Sequence, residues 1–261
     1  MYDPPTYIWV ITIVGTIAFA AAACAVLYGG AVRAGQGRTR AGLLAGAAAV
    51  VLGGWFTASA VIAGHGWYHT KLSQGPWLPV AAAGFLGVLL ALSRIPAVAR
   101  ALKAPGMASR LLLPHSFRVE GVVFLLYMAL GHLPALFALP AGLGDITTGL
   151  MAPLVAHRLD RGTGRRAAVR FTALGLTDLV VALILGAVTA FGLLNITPSG
   201  APITELPLAL IPTAVVPLLF ALHIKFLQTL GASQPAPSTA GPLLASTTPR
   251  PAAASPASRA R

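Results

Sequence analysis

Six ionisable side chains lie in or beside long apolar stretches of the sequence, and their types could do chemistry there. They are Arg118, Glu120, His132, Asp145, Asp178 and His223. A charged group in hydrocarbon costs about 2.5–3.5 kcal/mol on insertion scales, so such residues usually pair or line a polar path. Proton relays use Asp, Glu and His at graded depth. The pattern therefore favours a polar intramembrane site, and structural pairing that fixes helix register is the alternative.

The spacing of these residues predicts two clusters at different depths, because a helix rises about 1.5 Å per residue. The predicted outer cluster combines histidine, carboxylate and hydroxyl groups: His132, Asp145, Thr147 and Thr148, with His65 and His69 as further candidates. The predicted inner cluster combines basic and acidic groups: Arg118, Glu120, Asp178 and His223, with Arg118 as the counter-charge to Glu120. A proton passing between the two clusters would cross much of the bilayer.

His65 and His69 are four residues apart, so a helix would present both imidazoles on one face. This spacing is a weak signature of a metal or haem site. A glycine separates the two histidines and no third ligand is adjacent, so a polar cap at the membrane interface is the alternative. Cys24 is the only cysteine, which excludes an intrachain disulfide and a cysteine zinc cluster. The sequence leaves the identity of any cofactor open.

The composition explains why these residues stand out. Of 261 residues, 56% are hydrophobic and 9% are charged, whereas soluble domains carry about 25% charged residues. We therefore expect an all-α integral membrane protein, since helices satisfy their own backbone groups in lipid. The formal net charge of +12 would suggest nucleic-acid binding in a soluble protein. Here it fits the cytoplasmic excess of basic residues in membrane proteins, and no nucleic-acid partner is expected.

Seven apolar segments approach the length of a membrane span, which is about 20 residues. They cover residues 8–28, 42–64, 77–93, 119–139, 141–157, 171–194 and 207–226. The fifth segment is the weakest, because it is short and contains Asp145 and Pro153. All of the 18 Lys and Arg residues except Lys71 lie in alternate linkers or towards the C-terminus. This asymmetry predicts a seven-transmembrane-helix bundle with its N-terminus outside and its C-terminus in the cytoplasm.

The predicted transmembrane domain covers residues 1–230, and residues 231–261 form a predicted disordered cytoplasmic tail. This tail is rich in Ala, Pro, Ser and Thr, so it lacks the apolar surface that a core requires. Arginine predominates among the basic residues, and alanine and glycine are abundant, which is typical of a bacterial gene of high GC content. The expected location is therefore a bacterial inner (plasma) membrane.

Two strings resemble a group of bacterial multi-pass integral membrane proteins that have no assigned function. Residues 117–153 read FRVEGVVFLLYMALGHLPALFALPAGLGDITTGLMAP, and residues 211–223 read IPTAVVPLLFALH. They match an FRxxGxxFL start, an FALPAGxGDxxxGxxAP core and a proline-rich last helix of that group. The resemblance implies a membrane-bound protein and carries no substrate with it.

The sequence favours a small transporter-like or channel-like protein that is proton-linked through its polar intramembrane site. One alternative is an accessory subunit of a membrane complex, whose polar residues pair for packing. A second alternative is a membrane-embedded metal or haem protein. An enzyme is disfavoured, because the sequence has no phosphate-binding loop, HExxH or GxSxG string. The expected partners are the lipid bilayer and either a second copy of the chain or a subunit of a membrane complex.

Overall fold

Helices form the architecture of the part of the chain that the structure describes. The structure is a computed structural model, and it describes residues 3–68 and 71–232. Runs rich in alanine and leucine favour helix, and within the described residues the chain forms nine α-helices and no strand. In chain order, α1 to α9 are Thr6–Arg33, Arg38–Gly64, Trp77–Leu92, Pro96–Leu102, Met107–Leu112, Val122–Ala129, Ala135–Asp160, Arg165–Ala190 and Val216–Ala232.

Six helical stretches are long and apolar enough to cross a membrane, consistent with a multi-pass membrane protein. They are Thr6–Arg33, Arg38–Gly64, Met107–Ala129, Ala135–Asp160, Arg165–Ala190 and Ile211–Gly231. A seventh is obtained if α3 and α4, which meet at an angle of 89°, count as one bent span. Large apolar side chains such as Val14, Val50 and Leu154 are exposed on these helices, as expected of surfaces that contact a membrane. The predicted all-α class is confirmed.

The predicted division between the fourth and fifth apolar segments is wrong. The apolar segments predict this division at residue 140, whereas α6 ends at Ala129 and α7 begins at Ala135. Gly131 has a φ of +78°, and the N–H of His132 bonds back to a carbonyl of α6 over 2.9 Å, which closes the end of that helix. The weak fifth segment is therefore the centre of a helix of 26 residues. The predicted tail lies outside the described residues from residue 233 onward.

A tightly wound segment, Leu113–Gly121, joins α5 to α6 as a 3-10 helix. Runs of this length are uncommon, and three residues per turn align side chains i and i+3. His115 and Arg118 therefore lie on one line of the segment. The apolar segments predict that Arg118 ends a basic linker, but the structure places it near the middle of the helical stretch Met107–Ala129.

Helix α7 lies at the centre of the packing around the Leu113–Gly121 segment. It contacts the Leu113–Gly121 segment, α5, α6 and α8. Gly149 allows a close approach, because a Cβ at this position would lie 2.7 Å from the backbone nitrogen of Val119. Elsewhere α1 packs on α2, and α3 packs on α9. The 3-10 segment, α7 and α8 can therefore direct side chains to a common point.

Candidate functional site

Arg118 lies between two aspartates on neighbouring helices. Its Nε donates a hydrogen bond to Asp145 Oδ1 of α7 over 2.7 Å, and its Nη2 donates to Asp178 Oδ2 of α8. Its Nη1 lies 3.5 Å from the carbonyl oxygen of Gly175. The arginine side chain is only 1% exposed. A buried charge requires such pairing, because removing it from water costs several kcal/mol.

Three glycines make room for these charged side chains. A Cβ at Gly144 would overlap the carboxylate of Asp178, and one at Gly121 would overlap the side chain of Asp145. A Cβ at Gly175 would lie 2.8 Å from the Nε2 atom of His223. The polar groups thus occupy space that any other residue type would fill with its own side chain.

Two buried histidines extend the site towards α9. The rings of His115 and His223 are tilted against each other with centroids 4.0 Å apart, and Phe171 contacts His115 edge-on. Both histidines are fully buried. None of their four ring nitrogens has a hydrogen-bond partner among residues 3–68 and 71–232. Buried polar atoms without a partner are uncommon and often belong to functional groups.

Glu120 brings α1 to the same region. Its side chain packs against Gly15, where a Cβ would lie 2.8 Å from Glu120 Cγ. The hydroxyl of Thr16 donates to Glu120 Oε1 over 3.4 Å. We refer to the six side chains of this region together as the Arg118 cluster; they are His115, Arg118, Glu120, Asp145, Asp178 and His223.

The structure corrects the predicted counter-charge of Glu120. Arg118 pairs with Asp145 and Asp178, while the hydrogen bond of Glu120 comes from Thr16. The reason is the 3-10 winding, in which side chains three residues apart lie on one line. Arg118 and Glu120 are two residues apart, so their side chains point in different directions. The predicted proximity of Arg118 and Asp178 is found, and His223 lies close to them at Gly175.

The predicted separation of Asp145 from the inner cluster is also wrong, because Asp145 pairs with Arg118, which pairs with Asp178 as well. Asp145 lies about three turns into α7, because that helix begins earlier than hydropathy indicates. His132 lies in the turn that precedes α7. Thr147 is exposed, and Thr148 is buried but forms no hydrogen bond to the Arg118 cluster in the described part of the chain. Asp145, Asp178 and Arg118 therefore form one site near the middle of their helices instead of steps at graded depth.

The two histidines proposed as metal ligands are only partly described. His65 follows the end of α2, and its ring stacks on Trp67 with centroids 5.4 Å apart. His69 lies outside the described residues. Within the described ranges, no group of three or more His, Cys, Asp or Glu side chains is arranged to hold a metal ion.

His115 is not among the residues predicted from sequence, because it lies in the basic linker predicted between the third and fourth apolar segments. The sequence feature that could have identified His115 is its spacing of three residues from Arg118. This spacing places the two side chains on one line only if the segment is a 3-10 helix, as it is in the structure.

A second polar network, also missed, surrounds a π-helical turn at Ile211–Val215. Pro217 lacks the N–H that would bond the carbonyl of Thr213 in an α-helix, and the indole N–H of Trp55 donates to that oxygen over 2.9 Å. The hydroxyl of Ser59 lies 2.6 Å from that of Thr213 and 3.0 Å from that of Tyr68. Burial raises the pKa of the Tyr68 phenol, so the hydroxyl stays protonated within this network.

No curated protein and no solved structure matches the chain. Residues 75–231 match the model of a family that is described as a domain of unknown function (DUF8737). This region contains all six side chains of the Arg118 cluster and excludes α1 and α2. Because the match spans more than half of the 261 residues, the chain belongs to the DUF8737 family.

Proposed function

We propose that the chain is a small proton-linked transporter or channel-like protein of a bacterial plasma membrane, with the Arg118 cluster as its proton-carrying site. The observation that carries this proposal is the pairing of Arg118 with Asp145 and Asp178 near the middle of helices long enough to span a membrane. Ionisable groups at such depth are costly, and in membrane proteins they commonly mark ion and proton pathways.

The charge balance of the cluster supports proton binding. Arg118 supplies one positive charge, whereas Glu120, Asp145 and Asp178 supply three carboxyl groups. A site of low dielectric disfavours net charge, so the cluster is balanced when two of the carboxyl groups hold protons. A proton that enters or leaves changes this balance and the partner that Arg118 prefers.

His115 and His223 support a proton route that continues from the aspartates. An imidazole accepts a proton on one nitrogen and donates one from the other, which suits it to relay. The four ring nitrogens of His115 and His223 are free of hydrogen bonds to other described residues. A Cβ at Gly175 would lie 2.8 Å from His223 Nε2 and 3.3 Å from Arg118 Nη1, so both side chains pack against this glycine. We therefore assign the two histidines as the next carriers.

The proposed orientation has the N-terminus outside the cell and the C-terminus in the cytoplasm. It requires seven spans, with α3 and α4 as one bent span. Arg33, Arg100 and Arg161 then lie on the cytoplasmic side, as the distribution of basic residues in membrane proteins favours.

Proton flux into liposomes tests the proposal. Purified protein is reconstituted, a potassium diffusion potential drives protons inward, and a dye trapped in the lumen reports the pH. We expect the wild-type protein to acidify the lumen faster than protein-free liposomes do. Asp145→Asn or Asp178→Asn is expected to reduce the rate by about tenfold or more, because the side chain that carries the proton is removed.

Asp160→Asn provides the matched control. Asp160 ends the same helix as Asp145 and accepts a hydrogen bond from Ser109 over 3.2 Å, outside the Arg118 cluster. The proton flux of the Asp160→Asn variant should equal that of the wild-type protein. An accessory subunit, whose charges serve packing alone, would give no flux above protein-free liposomes, and that result would overturn the proposal.

A further inference from the structure

An apolar cavity of about 400 Å³ lies between α3, α8 and α9. Its volume falls in the range of about 300–1,000 Å³ that small-molecule sites occupy. The cavity begins among Leu78, Phe191 and Thr204, at the ends of helices, and reaches Phe220 within α9. A ligand that entered at the helix ends would therefore extend into the bundle.

Asp145 gives the inner part of this cavity its charge. Among the described residues that line the cavity, Asp145 is the only ionisable one. Its Oδ1 atom accepts from Arg118, whereas its Oδ2 atom accepts no hydrogen bond within the described part of the chain. Arg118 is almost fully buried and does not line the cavity. A ligand in the cavity therefore meets a residue whose carboxylate has spare acceptor capacity.

The geometry points to a binding site for a lipophilic amine, with the apolar tail in the cavity and the ammonium group donating to Asp145 Oδ2. A neutral head group would gain a weaker hydrogen bond, since hydrogen bonds to charged groups are stronger. An anionic head group would face a like charge. The carboxylate therefore selects a cation among ligands with the same tail.

This inference rests on the proposed function and names its substrate class. An ammonium group at Asp145 adds one positive charge to the Arg118 cluster and competes with Arg118 for the same carboxylate. Release of one proton from the cluster restores the charge balance. Binding of one lipophilic ammonium ion would thereby release one proton from the cluster without a covalent step.

Binding of three probes with the same tail tests the inference. Wild-type protein in lipid nanodiscs is titrated with n-octylammonium, n-octanol and n-octanoate, and empty nanodiscs supply the background. We expect n-octylammonium to bind about tenfold more tightly than n-octanol, because its head group forms a charge-assisted hydrogen bond. Asp145→Asn should abolish this preference, and Asp160→Asn, the same change near the end of the same helix, should retain it.

A second pair of variants tests whether the apolar tail of the ligand lies in the cavity. Ala82 lines the cavity on α3, so Ala82→Phe should fill it and weaken the binding of n-octylammonium and n-octanol alike. Ala91 is exposed on the same helix and does not line the cavity, so Ala91→Phe should leave both affinities unchanged.

Two results would overturn the inference. Equal affinities for n-octylammonium and n-octanol in the wild-type protein would show that the cavity binds apolar chains whatever the charge of the head group. Tighter binding of n-octanoate would assign the head-group site to Arg118. Because binding is measured without a pH gradient, these failures leave the proton-flux result standing. Conversely, absent flux with Asp145-dependent amine binding would remove the proposed function and retain the site.

Discussion

At the scale of single residues, the Arg118 cluster depends on glycines, which have no side chain, as much as on charged residues. Gly144 lies against the carboxylate of Asp178, and Gly121 lies against Asp145. The carboxylates are thereby held where Arg118 can pair with both. Either glycine would lose this role if it gained even one methyl group.

Gly144→Ala is expected to destabilise the protein by about 1–3 kcal/mol, the usual cost of overpacking a tight interior. The added methyl group would displace Asp178 from Arg118. A lowered midpoint of thermal unfolding in detergent, followed by tryptophan fluorescence, would show the effect.

Gly46→Ala is the matched control for this prediction. Gly46 is also helical, but nothing lies within 4 Å of a Cβ at its position. Its replacement should be neutral or stabilising by up to about 1 kcal/mol, because alanine favours helix over glycine. Equal unfolding midpoints for the two variants would contradict the close packing described for Gly144.

At the scale of elements, the last helix is irregular where prolines interrupt it. Val216 bonds back to the carbonyl of Ile211, which produces the π-helical turn. Trp55 supplies the donor that Pro217 removes from Thr213. The indole ring also stacks on Phe85, with centroids 4.8 Å apart. A side chain of α2 thus stabilises an irregular turn in another helix.

Trp55→Phe should keep this stacking but leave the Thr213 carbonyl without its indole donor, at a cost of about 1–3 kcal/mol. The cost should fall in a Pro217→Ala background, because the restored backbone N–H can bond the same carbonyl. Chemical denaturation of the two single variants and the double variant measures this coupling. Strictly additive effects would show that the two groups do not serve one carbonyl.

Hydropathy predicted the long apolar helices, and the cost of burying charge predicted most of the side chains that the structure brings together in the Arg118 cluster. Arg118, Glu120, Asp145, Asp178 and His223 were all identified as candidates from sequence. Their pairing was not, because it depends on the end of α6 at Gly131 and on the 3-10 winding of Leu113–Gly121. Neither feature changes the average hydropathy of a segment. The glycines that admit the carboxylates likewise become meaningful only when the neighbouring helix is known.

At the scale of the whole molecule, the number of spans determines on which side of the membrane each charged linker lies. Six stretches are long and apolar enough to cross, and the bent pair of α3 and α4 makes a seventh. With seven spans, the loops that contain Ser73 and Thr163 lie on opposite sides of the membrane. With six, they lie on the same side.

Cysteine labelling in intact cells distinguishes these arrangements. In a Cys24→Ser background, we expect Ser73→Cys to react with a membrane-impermeant maleimide and Thr163→Cys to react only after permeabilisation. Both positions are exposed, so access to the reagent depends on the side of the membrane. Labelling of both variants from outside would show that α3 and α4 do not cross.

The central claim is that the two aspartates beside Arg118 serve one proton path, and the flux of the Asp145→Asn/Asp178→Asn double variant tests it most directly. Residues that act in one path give effects that are not additive. We predict that the double variant conducts protons no more slowly than the slower single variant, and about tenfold or more below the wild type. Wild-type flux in the double variant would contradict the account.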